Sequence, residues 1–149
     1  MKTVATIILV CFGVLFCQGQ SQLKLSIKKG SDAPNFETEH MYLMELSNSG
    51  SVASNVTIST SNKECANVKK ADQTDFDQVI MDKNKQNRLQ QIVVQSGKTV
   101  EFYVKLSRPN GARLNTWNCT EILAVSNDGR AFSNAVSIES LIPNPNNNN

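Results

Sequence analysis

Thr99-Val100-Glu101-Phe102-Tyr103-Val104-Lys105-Leu106 is the stretch that decides the fold. Val100, Phe102, Val104 and Leu106 fall on one side of an extended chain, and Glu101, Tyr103 and Lys105 fall on the other. Successive strand side chains point to opposite faces, so this stretch reads as a strand with one buried and one wetted face.

The same reading extends in both directions. Upstream, residues 89–94 form a strand that ends at the turn Gln95-Ser96-Gly97-Lys98. Downstream, Arg108-Pro109-Asn110-Gly111 is a strong turn signal, followed by a strand over 116–125 that holds Trp117 and Cys119. Asn127-Asp128-Gly129-Arg130 turns the chain into a last strand over 135–139, with Val136 and Ile138 inward. Toward the start, Leu23, Leu25 and Ile27 alternate with Lys24, Ser26 and Lys28, and Lys29-Gly30-Ser31-Asp32 ends that strand. Residues 40–46 read as a mostly buried strand, and β-branched residues mark another over 55–60. Between 62 and 77 the chain is polar and weakly patterned. Phe76, Val79, Ile80 and Met81 suggest a short edge strand, and residues 82–88 suggest a polar, mobile connection. Seven or eight short strands with Gly, Asn and Pro punctuation predict an all-β, immunoglobulin-like sandwich of antiparallel strands over residues 20–142.

The two ends read differently. Lys2 precedes an apolar run of about 13 residues from Val4 to Phe16, the length of a signal-peptide core and short of the roughly 20 needed to span a bilayer. Small residues Cys17 and Gly19 fit the positions before a cleavage site, which predicts a signal peptide over 1–19. An uncleaved anchor and lipid attachment at Cys17 are the alternatives. The expected destination is extracellular or periplasmic. No later stretch is long and apolar enough to span a membrane as a helix. The Asn- and Pro-rich residues 143–149 have nothing to bury and read as a disordered tail.

The chain carries 15 basic and 13 acidic residues. Loss of Lys2 with the signal leaves the remainder close to neutral. A near-neutral chain with scattered lysines has no general field to attract nucleic acid or anionic membrane. Cys11 and Cys17 leave with the signal, so Cys65 and Cys119 remain in an oxidising compartment. They are expected to pair. Closing a loop of about 54 residues stabilises by roughly 4 kcal/mol before strain. Two buried thiols or a bridge between chains are the other readings.

Three segments carry a family resemblance. Leu46-Ser47-Asn48-Ser49-Gly50-Ser51-Val52-Ala53-Ser54-Asn55-Val56-Thr57-Ile58 reads as a strand, an Asn-x-Gly turn and a hairpin return. Ile92-Val93-Val94-Gln95-Ser96-Gly97-Lys98-Thr99-Val100-Glu101-Phe102 reads as strand, Gly turn, strand. Cys119 to Ser126, followed by Asn127-Asp128-Gly129, reads as a penultimate strand and its exit turn. Together they resemble bacterial extracellular immunoglobulin-like modules of the adhesion-related CARDB and fibronectin type III-like kind. The resemblance implies a sandwich used for adhesion, spacing or ligand display. Asn48, Gly50, Gly97 and Gly111 sit where hairpins would call for positive φ. Trp117 lies on the same strand as Cys119, which departs from the antibody pattern of Trp and Cys on different strands.

Chemistry is sparse. His40 is the single His, and only Glu37 and Glu39 are near it in sequence, so it reads as a satisfied or exposed side chain. Asp72, Asp75, Asp77 and Asp82 form a loop cluster that could hold calcium, but Phe76 interrupts it and a solvated loop is the plainer reading. Glu101 and Glu121 could in principle face each other as glycosidase carboxylates, although alternation turns Glu101 outward. No cofactor is expected. Tyr103, Lys105, Arg108, Arg113 and Trp117 are the candidate binding surface for a carbohydrate or peptide, against core packing for Trp117 and a plain wetted face for the others. Asn55-Val56-Thr57 and Asn118-Cys119-Thr120 match the N-glycosylation pattern, which matters only in a eukaryotic secretory pathway. The functional expectation is a secreted, non-enzymatic module that binds a protein or glycan or plays a structural, adhesive role. The alternative is a small inhibitor or chaperone-like accessory acting through a sheet edge.

Overall fold

A computed structural model describes residues 22–144. The expected signal peptide over 1–19 lies outside the described residues, as does the expected tail from 145 onward. Eight strands follow in order: β1 Leu23–Lys29, β2 Glu39–Asn48, β3 Ser54–Lys63, β4 Asp77–Met81, β5 Gln91–Val94, β6 Thr99–Ser107, β7 Thr116–Ser126 and β8 Val136–Ile142. A short 3-10 turn, Lys70–Asp72, lies between β3 and β4.

The strands form two antiparallel four-stranded sheets, ordered β1-β2-β6-β4 and β5-β3-β7-β8. The period-two pattern sets which side chains meet between them. Phe102, Val104 and Leu106 of β6 and Met44 and Leu46 of β2 point inward from the first sheet and are fully buried. Val56 and Ile58 of β3, Ile122 and Ala124 of β7 and Ile138 and Ile142 of β8 answer them from the second. Each such Val, Leu, Ile, Met or Phe side chain removed from water contributes about 1.5–3 kcal/mol. A slip of one residue in any register would turn the apolar set outward, so this core fixes the pairing.

The sandwich expected from sequence is therefore present, with one correction to its wiring. The segments read as hairpins are crossovers between sheets. β2 belongs to the first sheet and β3 to the second, so residues 49–53 form an arch. The connections β5 to β6 and β6 to β7 also change sheets. Gly97 and Gly111 do take positive φ, at 65° and 74°, but Asn48 and Gly50 do not. Asn48 is a buried clamp instead. Its side-chain amide donates to the carbonyls of Val52 at 2.8 Å and Val94 at 3.0 Å, and its Oδ1 accepts from the Gly50 N–H at 2.9 Å.

Residues 82–88, expected to be mobile, are tied back on Asp82. Its carboxylate accepts from the Gln86 N–H at 2.9 Å and from the Asn87 amide at 2.7 Å. Those bonds hold the Asp82 carboxyl below its ordinary value, the Gln86 backbone bond most of all. His40 is buried at the start of β2 with Nδ1 3.2 Å from Ser31 Oγ. No helix among the described residues is long and apolar enough to cross a membrane.

Candidate functional site

The outer face of the first sheet carries an apolar stripe where alternation alone would suggest water-loving residues. Register aligns Leu43 of β2, Tyr103 of β6 and Met81 of β4 in one row across the sheet. Met41, Lys105 and Val79 form the next row. All are half-buried. Lys85, from the loop that Asp82 folds back, places its Nζ 4.5 Å from the centroid of the Tyr103 ring. Met41, Leu43, Tyr103 and Lys85 line a depression of about 360 Å³ on this face.

Ion pairs border the stripe. Lys28 Nζ sits 2.7 Å from Glu45 and 2.5 Å from Glu101, and Lys83 reaches the other oxygen of Glu101 at 2.6 Å. The hydrogen bond from Lys28, then that from Lys83, lowers the Glu101 carboxyl from 4.5 to about 2. The same contacts, Glu101 first and then Glu45, raise Lys28 well above the ordinary lysine range. At the other end Lys105 Nζ binds Glu39 at 2.8 Å and holds that carboxyl below its usual value.

The five residues singled out from sequence do not share one surface. Tyr103 and Lys105 lie on this face. Arg108, just past β6, donates to the carbonyl of Phe36 at 2.8 Å and so pins the β1–β2 connection. Arg113 bonds the carbonyl of Ala71 and lies 3.6 Å from Asp72. Trp117 stands on the outer face of the second sheet, opposite Leu141 of β8, and stays 36% exposed. It does not enter the core.

Glu101 and Glu121 lie on the outer faces of opposite sheets with the core between them, so they do not face each other. Among the described residues no three His, Cys, Asp or Glu side chains gather to hold a metal ion. The two sequons separate as well. Asn55 is exposed at the start of β3, whereas Asn118 points inward and is 1% exposed. Asn118 donates to Asn62 Oδ1 at 2.7 Å and to the Thr74 carbonyl at 3.0 Å, and it accepts from Thr120 at 2.8 Å.

Cys65 and Cys119 form a disulfide with their Cα atoms 5.3 Å apart. Cys119 projects from the outer face of β7, and Cys65 follows the end of β3, where Lys63 pairs with Cys119 in the ladder. The bridge therefore ties the irregular segment after β3 onto the outside of the second sheet.

No family model matches the chain, and no curated protein is similar to it in sequence. Among solved structures, the fold is similar to that of a FixG-related protein from Vibrio parahaemolyticus. The TM-score is 0.58 at 10% identity, over 82% of this chain and 97% of that one. AvmM, which catalyses macrocyclization in alchivemycin A biosynthesis, matches with a TM-score of 0.51 at 10% identity, over 85% of this chain and 92% of that one. A family 123 glycoside hydrolase from Clostridium perfringens matches with a TM-score of 0.50 at 7% identity, over 84% of this chain but 28% of that one. At such identities the likeness concerns the fold alone. It agrees with the all-β, antiparallel sandwich that the chain's own two sheets define.

Proposed function

We propose that this chain is an exported, non-enzymatic immunoglobulin-like module that binds a protein partner through the outer face of β1-β2-β6-β4. The display role is proposed on the resemblance of its turn segments to bacterial CARDB and fibronectin type III-like modules. The observation that carries the reading is the Leu43–Tyr103–Met81 row on a solvent-facing sheet surface. An apolar centre ringed by charged pairs is how protein interfaces are built, and Tyr is among the residues that contribute most to binding them. Lys28, Glu45, Glu101 and Lys83 supply the polar rim on one side, and Lys105 and Glu39 on the other.

The test is capture from the envelope and culture fluid of the source organism, quantified by mass spectrometry. Wild type and Gln91→Lys, on the opposite sheet, should retain the same stoichiometric partner. Leu43→Asp and Tyr103→Ala should lose it while keeping the β-sheet circular dichroism spectrum. Equal retention by all four proteins, or no partner on wild type, would overturn the reading.

A second reading, an inhibitor or chaperone-like accessory, is favoured by β8. It forms the edge of its sheet for the whole of Val136–Ile142, and edge backbone groups are a template for adding a strand. Proline substitution of Ser137 would block that mode and leave the Tyr103 face untouched.

A further inference from the structure

We propose that the end of the sandwich beside Asn48 holds a separate cleft that binds a neutral saccharide. The cleft encloses about 680 Å³, within the size range of ligand sites. It opens between the arch over 49–53 and the turn that joins β7 to β8.

Both walls are fixed in place. The Asn48 clamp holds the arch, and Ser96 adds a 2.6 Å hydrogen bond from its hydroxyl to the Gly50 carbonyl. On the opposite wall Ser126 Oγ donates to Asp128 at 2.6 Å and accepts from the Ala131 N–H at 2.9 Å. Asp128 also accepts from the Arg130 N–H at 3.1 Å. Asn127 ties this turn to β3 twice, through its N–H to the Asn55 carbonyl and through its Oδ1, which accepts from Thr57. A site built from locked loops spends little ordering entropy on its ligand.

The lining states what kind of ligand fits. Asp128 and Arg130 are its only ionisable residues among those described, and they offset each other. A phosphate, a nucleic acid or an acidic glycan would find no surplus positive charge there. The remaining polar groups are amides and hydroxyls. The Asn127 oxygen is taken by Thr57, which leaves its NH₂ to donate, and the exposed Asn55 amide offers both a donor and an acceptor. Paired donors and acceptors suit vicinal hydroxyls. Phe132 contributes an aromatic surface, 51% exposed, with its backbone bridged to Val125. The C–H face of a sugar ring would cover that surface while its hydroxyls meet the amides. An aliphatic ligand would leave the amides unpaired, at a cost of about 1–3 kcal/mol for each polar group so buried.

The test is an ¹⁵N–¹H NMR titration of the folded domain with cellohexaose, mannohexaose and chitohexaose. Hexagalacturonate serves as the acidic arm and hexa-alanine as the peptide arm. The expected result is saturable shifts with at least one neutral hexasaccharide, confined to amides 48–55 and 126–132. Phe132→Ala should weaken that binding by about tenfold or more without moving amides elsewhere. Asn55→Ala should weaken it as well. The proposal falls if no neutral probe saturates by concentrations on the order of 10 mM. It also falls if the acidic or peptide probe binds more tightly than every neutral one, or if Phe132→Ala changes nothing. Shifts centred on Tyr103 would overturn the cleft while leaving the protein-binding face of the first sheet intact.

Discussion

The side-chain amide of Asn134 bonds both backbone groups of Leu25, accepting from its N–H at 3.0 Å and donating to its carbonyl at 2.9 Å. One side chain thus stands in for a residue of a neighbouring strand. β1 is an edge of the first sheet, and an edge leaves such groups free to pair with another chain. A register shift between Ile27 and Lys29 disturbs the far half of the same strand. Asn134, just before β8, also joins the two sheets along their open side.

Asn134→Ala should therefore cost about 1–2 kcal/mol in urea unfolding. It should also speed hydrogen exchange at Leu25 more than at β6 amides. Asn134→Asp keeps the acceptor for the Leu25 N–H but sets a carboxylate oxygen against the Leu25 carbonyl, so it should be destabilised as well. An Ala variant as stable as wild type, with Leu25 still protected, would show that water replaces the clamp at no loss.

Asn118 poses a similar question inside the core. Two of its three hydrogen bonds join β7 to Asn62 of β3 and to Thr74, the third comes from Thr120 on its own strand, and Asn62 in turn both donates to and accepts from the backbone of Phe76. Asn118→Ala leaves Thr120 and Asn62 short of partners in a buried place. The expected loss is about 1–3 kcal/mol, read by thermal or chemical denaturation. In a eukaryotic secretory host, folded material should carry a glycan at Asn55 alone, since one at Asn118 would have to fit within the sandwich. Mass spectrometry of the secreted product reads this directly.

Glu101 gives the pH dependence. Its folded value, about 2, lies below the ordinary 4.5 because Lys28 and Lys83 bond its charged form. A carboxyl that is lowered on folding releases its proton more readily in the folded state. Its contribution is complete above the unfolded value and is lost as pH falls from near 4.5 toward 2. Melting temperatures from pH 6 down to 2 should drop for wild type across that window. Glu101→Gln should start lower and show a shallower decline, because the group that titrates is gone. Parallel curves for the two proteins would remove Glu101 from the acid response.

Much of this was legible from residue alternation, and the misses share a cause. Of the seven or eight strands expected all eight are present, and β1 and β6 lie where period two placed them, because a wetted face and a buried face leave a direct imprint on stretches such as Val100 through Leu106. The arches were not legible. A Gly- and Ser-rich turn such as Ser49-Gly50-Ser51 looks the same whether the next strand returns beside the last or crosses to the other sheet. Cys65 and Cys119 could be paired by elimination. Asn48, Asn118 and Asn134 could not be recognised, because a polar residue that satisfies distant backbone has no periodic signature. The apolar stripe was half visible: Tyr103 stood out, but Leu43 and Met81 join it only through a register that no local pattern reveals.

The disulfide closes a loop of 54 positions, and its removal separates covalent from non-covalent restraint on the segment after β3. Cys65→Ala with Cys119→Ala should cost about 2–4 kcal/mol, through a freer unfolded chain and a loosened native segment. The loss should stop short of unfolding. In the wild-type chain the backbone N–H at position 65 donates to Gln73 Oε1 at 2.9 Å, Gln73 Nε2 reaches the Val68 carbonyl at 2.8 Å, and Thr74 N–H bonds the Trp117 carbonyl at 2.8 Å, and none of these bonds needs a cysteine side chain. The first two bonds hold the segment together, and the third holds it against β7 without sulfur. The far-ultraviolet spectrum should stay that of a β protein, while the near-ultraviolet signal of Trp117, on the same face as Cys119, should change. Amides 64–74 should exchange faster and those of β2 and β6 should not. If the variant instead unfolds outright at room temperature, the bridge is what holds the second sheet closed, and the hydrogen bonds of Gln73 and Thr74 follow from it.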